Sequence, residues 1–84
     1  MNLPKCIVYV LKDGHTPPLY YTGVTSNLAA RLEEHNQSGN VHTRRGRNWT
    51  VDLVIEFSDE RRALAFEKYL KSGSGCAFAK RHLR

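Results

Sequence analysis

Tyr21-Thr22-Gly23-Val24-Thr25-Ser26-Asn27-Leu28-Ala29-Ala30-Arg31-Leu32-Glu33-Glu34-His35-Asn36 is the stretch around which the rest of the chain arranges itself. It reads as the end of a β-strand, a corner eased by glycine, and a helix. Leu19, Tyr20 and Tyr21 lead into it and suit a pleated surface. Gly23 lets another group approach the backbone closely, and Thr25 or Ser26 can cap the helix that follows. Leu28, Leu32 and His35 recur at i, i+4 and i+7 and so share one face. Arg31 lies four residues before His35, which places the two on one side of the helix. A tyrosine at a strand end, followed at once by a helix carrying that pair, is more than a scaffold requires.

Outward toward the N-terminus, Cys6-Ile7-Val8-Tyr9-Val10-Leu11 is apolar on both faces, as a central strand would be. The segment Lys12-Asp13-Gly14-His15-Thr16-Pro17-Pro18 breaks it with Asp-Gly and Pro-Pro. A connection this short makes the strands on either side antiparallel. If the loop is centred near His15, Tyr9 lies opposite Tyr21 on one face. A register offset of two leaves them diagonal neighbours; an offset of one separates them.

Toward the C-terminus, Gln37-Ser38-Gly39-Asn40 ends the helical pattern. Val41 to Trp49 then forms a basic loop whose Arg44, Arg45 and Arg47 suit phosphate contact. Trp49 reads as packed under the sheet edge, with a stack on a base or sugar as the alternative. Thr50 to Phe57 alternates, with Val51, Leu53, Ile55 and Phe57 inward and Asp52 and Glu56 outward, as a half-buried strand does. Ser58 caps a second helix with acids in its first turn. It runs to about Ser72, where Gly73 can supply a left-handed cap.

Ala63, Phe66 and Leu70 form the buried stripe of that helix, and Glu67 falls on the same stripe. A carboxylate there is costly unless it is paired or metal-bound. Glu67 therefore either binds a cation or sits at the stripe's margin against a lysine or arginine. Ser74-Gly75 opens a last basic helix, with Cys76, Ala79 and Leu83 inward and Lys80, Arg81 and Arg84 outward.

The 84 residues provide for one small domain, taken as 1–84, and one modest core. Thirteen Lys and Arg against eight acids leave a formal charge of +5, a surplus that favours a polyanionic partner such as nucleic acid. No apolar run approaches the ~20 residues of a membrane span, and the N-terminus lacks the apolar core of a signal peptide. Cys6 and Cys76 form no metal-ligand spacing and read as buried thiols of a cytoplasmic protein.

Tyr9 in Ile7-Val8-Tyr9, Tyr21 in Tyr21-Thr22-Gly23, then Asn27-Leu28-Ala29-Ala30-Arg31-Leu32, His35 and the late helical Glu67 together resemble the GIY-YIG nuclease domain. The resemblance runs from Cys6 to about Leu70 and is nearest to small stand-alone members and to the N-terminal catalytic module of the excinuclease C subunit. It departs from the pattern at Ile7 and Val8, and at Thr22, and no residue matches the asparagine many members carry after the glutamate helix. The resemblance implies an α/β fold, a small three-stranded antiparallel sheet flanked by helices in the order β-β-α-β-α-α. It also implies phosphodiester hydrolysis with a single Mg²⁺ or Mn²⁺ held by Glu67. Tyr9 and Tyr21 match the two motif tyrosines, Arg31 the family arginine, and His35 a histidine found in many members.

Hydrolysis of a phosphodiester needs a deprotonated nucleophile, charge neutralisation and help for the leaving oxygen. A guanidinium suits non-bridging phosphate oxygens. A phenol with a pKa of about 10 is ionised roughly once in a thousand molecules at pH 7, so nearby positive charge must favour the phenolate. Either tyrosine can be the base, with the other orienting water or phosphate and His35 relaying a proton. The expectation is a metal-dependent DNA endonuclease, structure- or damage-directed, in DNA repair or recombination. Its substrate would be branched, damaged or single-stranded DNA, with Arg44, Arg45, Arg47 and Lys80 on the phosphates. A non-catalytic nucleic-acid-binding module, or an interaction module dependent on a protein partner for specificity, is the alternative. The sequence sets no oligomeric state.

Overall fold

The computed structural model describes residues 6–37 and 48–83. Within them the order is β1 (Cys6–Lys12), β2 (Tyr20–Thr25), α1 (Leu28–Asn36), β3 (Thr50–Phe57), α2 (Glu60–Leu70) and α3 (Gly73–His82). The strands form one antiparallel sheet in the order β2-β1-β3. This is the β-β-α-β-α-α arrangement expected, with β1 at the centre. No helix of the described residues is long and apolar enough to cross a membrane.

Because side chains alternate along a strand, β1 feeds two cores. Ile7, Tyr9 and Leu11 pack with Trp49 on one face, against Tyr21 and against Leu28 and Leu32 of α1. Val8 and Val10 pack with Ala63 and Leu70 on the other, under α2, with Leu53, Phe66 and Leu83 around them. The five residues from Ile7 to Leu11 are all buried, which is why this strand reads as continuously apolar. Trp49 is 4% exposed, so the packed reading of that ring holds.

The hairpin register is Tyr9 opposite Gly23 and Leu11 opposite Tyr21. The offset from the simplest pairing is two, and both tyrosines stay on one face. Asp13 fastens the intervening loop. Its buried carboxylate accepts from the amides of Leu19 (2.6 Å) and His15 (3.2 Å), and pairs with His15 Nδ1.

Several local expectations are corrected. Asn27, not Thr25 or Ser26, caps α1, its Oδ1 accepting from the Ala30 amide at 3.1 Å. β2 runs through Thr25, so the cap falls two residues later than Thr25, and Thr25 Oγ1 instead accepts from the Asn27 amide. Asp59, not Ser58, caps α2, because that helix starts at Glu60. Val51 is 39% exposed rather than inward: the register shifts between Val10 and Leu11, leaving Asp52 as an extra residue in β3. Such a bulge turns the residues beyond it to the opposite face.

Gly73 takes no left-handed conformation and begins α3. Lys71 and Ser72 turn the chain at φ −86° and −80°, and Ser72 caps α3 from Oγ to the Gly75 amide. The glycine that matters is Gly75, where a Cβ would stand 1.7 Å from the Tyr69 carbonyl oxygen. α3 docks through Gly75, Ala79 and Leu83, and this rotates Cys76 outward to an exposed position. Cys6 is half-buried rather than buried.

Asn36 joins α1 to β3. Its Oδ1 accepts from the Trp49 amide at 2.7 Å, and its Nδ2 donates to the Trp49 carbonyl at 3.0 Å. Asn36→Ala removes both bonds and is expected to cost about 1–3 kcal/mol. Urea unfolding checks this: the midpoint should fall with an unchanged slope.

Candidate active site

The site is assembled from both hairpin strands and α1. The Tyr9 ring leans across Gly23, where a Cβ would meet Tyr9 Oη at 2.5 Å and Cζ at 2.7 Å. Only a residue without a side chain leaves that lane open. Tyr9 Oη lies 3.1 Å from His35 Nε2. The Tyr21 ring is 6.2 Å from Tyr9 and 4.7 Å from the His35 imidazole, centre to centre. Tyr9 and His35 are each 1% exposed, while Tyr21 is half-buried. Leu28 and Leu32 hold the α1 face down, and this brings His35 to the tyrosines.

Glu67 comes from α2, which covers the other sheet face. β2 is an edge strand, and Lys71, the C-cap residue of α2, reaches the Tyr21 ring past it. Lys71 Nζ lies 2.6 Å from Glu67 Oε2 and 6.0 Å from the centre of the Tyr21 ring. Glu67 is therefore paired with a lysine, as one reading of its position required, and it is held near the tyrosines rather than in bulk solvent. Arg31 sits at the rim, with its side chain 44% exposed and Nη1 3.4 Å from Glu34 Oε2.

Charge links the group. Burial pushes the Tyr9 hydroxyl up to about 12; Tyr21 adds to this, Arg31 opposes it, and Glu34 and Glu67 raise it further. Burial, then the positive charge of Arg31, holds His35 below the usual imidazole range, with Glu34 opposing. Below pH 10 Tyr9 is thus a phenol, and at neutral pH His35 is an uncharged imidazole able to accept from it.

Two opposite pH effects on stability follow. Tyr9 is raised, so its contribution is whole below about pH 10 and is lost as pH climbs through about 12. His35 is lowered, so its contribution is whole above about pH 6.5 and is lost as pH falls toward the depressed value. Denaturation midpoints across pH check both. Tyr9→Phe should flatten the alkaline limb and His35→Gln the acid one.

Tyr9, Tyr21, Arg31, His35 and Glu67 are brought together. Arg44, Arg45 and Arg47 lie outside the described residues. Lys80 is exposed on α3 beside Phe78, Arg81 and His82, on the far face of the sheet, and does not join the tyrosines. Glu34 and Lys71 were not singled out from the sequence, although Lys71 stands at i+4 from Glu67, the spacing of a helical ion pair. Among the described residues no three His, Cys, Asp or Glu side chains gather as a cage. A lone carboxylate already holding an ammonium suits a hard cation that keeps most of its water. It does not suit a tetrahedral zinc.

Residues 5–76 match the family model described as the GIY-YIG catalytic domain. The chain is 34% identical over 82 residues to the structure-specific endonuclease subunit SLX1 of Malassezia globosa. The match covers 93% of this chain but 18% of the relative's length. No solved structure matches the chain.

Proposed function

The chain belongs to the GIY-YIG catalytic domain family, and from that premise we propose that it is a divalent-metal-dependent endonuclease hydrolysing DNA phosphodiester bonds. The observation that carries the reading is the gathering of Tyr9, Tyr21 and His35 on one sheet face, with Glu67 linked to it through Lys71 beside the Tyr21 ring and Arg31 at the rim. Glu67 is the residue that would hold the ion, Mg²⁺ or Mn²⁺, and the ion would polarise the phosphate and ease departure of the leaving oxygen.

The other roles belong to the chain's own groups. Arg31 offers fixed donors to the non-bridging oxygens and keeps its charge throughout. Half-exposure supports Tyr21 as the base that takes the proton of the attacking water. Tyr9, buried and pushed up to about 12, stays a phenol. It donates to His35 Nε2, with the imidazole proton on Nδ1, and so fixes the wall against which Tyr21 stands.

The relative's printed name is that of a subunit of a structure-specific endonuclease, which supports a substrate chosen by DNA structure and a protein partner; branched DNA and a role in repair or recombination are part of the same proposal. The purified chain incubated with supercoiled, branched and single-stranded DNA tests this, in Mg²⁺, Mn²⁺ or EDTA. The expected result is nicking of branched DNA that EDTA abolishes. Binding without nicking under every condition supports a non-catalytic module instead.

A further inference from the structure

Among the described residues, Lys71 is the cation that pairs with the carboxylate on which the proposed reaction depends. Its stem leaves the end of α2, and Nζ reaches Glu67 Oε2 at 2.6 Å while remaining 6.0 Å from the Tyr21 ring centre. Glu67 is 19% exposed and Lys71 51%, so the carboxylate is settled while the ammonium can move. A divalent ion taking Glu67 as ligand would draw on oxygen lone pairs that the ammonium already uses. A flexible four-carbon stem with a compact charge has an alternative place to go, since a phosphate held beside Tyr21 would lie near Nζ.

We propose that Lys71 is a positioning residue that holds the Glu67 carboxylate toward Tyr21 before the metal ion arrives. A bound ion would displace it from that carboxylate, and the freed ammonium would then lie beside the scissile phosphate. This rests on the reading of Glu67 as the metal ligand. It differs from a plain i,i+4 surface pair, which would support Glu67 and nothing more. A competitor and a support have opposite signatures: losing a competitor tightens metal binding, and losing a support weakens it or leaves it unchanged.

The experiment measures Mn²⁺ binding by calorimetry on the full chain without DNA, alongside single-turnover cleavage of a branched duplex at saturating Mn²⁺. Wild type is compared with Lys71→Met, Lys71→Arg and Glu67→Gln. Lys71→Met is expected to bind Mn²⁺ about three- to fivefold tighter, the range of a partly exposed ion pair, yet to cleave at least ~tenfold more slowly. Lys71→Arg, which restores a cation, should bring both values back toward wild type. Lys71→Gln takes the place of the Met variant should that one fail to fold.

Mn²⁺ affinity unchanged or weakened in a folded Lys71→Met protein overturns the proposal. If Glu67→Gln abolishes binding at the same time, the metal-ligand reading stands and the role of Lys71 alone falls. Mn²⁺ bound by Glu67→Gln as tightly as by wild type overturns both.

Discussion

Glu67→Gln is expected to lower single-turnover cleavage by at least ~10³-fold while leaving the fold in place. Gln keeps the length and polarity of the side chain but removes the charge that pairs with Lys71 at 2.6 Å. That pair is partly exposed, and pairs of this kind contribute about 0–1 kcal/mol, so the melting temperature should move by a few degrees at most. The expected result is therefore a folded protein that still binds DNA and no longer cuts it. Rate constants at saturating enzyme, with circular dichroism melts of the same preparations, separate the two quantities. A loss of activity matched by a loss of folded protein would instead make Glu67 a structural residue.

Gly23→Ala is the second large effect, and it acts through a ring rather than a charge. The added Cβ would stand 2.5 Å from Tyr9 Oη and 2.7 Å from Cζ, closer than such atoms pack. Tyr9 is 1% exposed and wedged among Ile7, Leu11 and Trp49, so the ring cannot swing aside freely. Overpacking of this kind costs about 1–3 kcal/mol. A ring pushed off Gly23 also strains its 3.1 Å contact with His35, and cleavage should fall about 10²-fold or more. Adding Tyr9→Phe to Gly23→Ala removes the closest clashing atom. The double variant should regain part of the lost stability but none of the lost activity. Equal stabilities of the single and double variants would show that the cost lies in the β2 backbone instead.

The framework was legible because each strand carries a different pattern. Unbroken apolar residues in β1 announced a strand buried on both faces, and Asp13-Gly14 with Pro17-Pro18 announced the hairpin loop. The pairing of Tyr9 with Tyr21 on one face survived an offset of two because side chains repeat every two residues. What could not be read were the features decided by single-residue counts or by tertiary contact. The bulge at Asp52 turned Val51 outward although the local alternation gave no sign of it. The caps fell on Asn27 and Asp59 because the exact start of each helix chooses among adjacent residues of similar capping ability. Gly75 rather than Gly73 proved the constrained glycine, since the Tyr69 carbonyl that crowds it belongs to the preceding helix.

In the site, Tyr9, Tyr21, Arg31, His35 and Glu67 were named from the chain. Their neighbours Glu34 and Lys71 look like ordinary surface charges until the helices are placed. The clamp of Asn36 on Trp49 was likewise invisible, because an asparagine at a helix end has many commoner uses.

Crystals of the protein grown with Mn²⁺ and a short branched duplex, measured for anomalous scattering, test the central claim most directly. The account predicts a peak at the Glu67 carboxylate, with a phosphate beside it and the Tyr21 hydroxyl on the same side of the sheet. A peak elsewhere, or DNA bound on the α3 face with Glu67 still paired to Lys71, would contradict it.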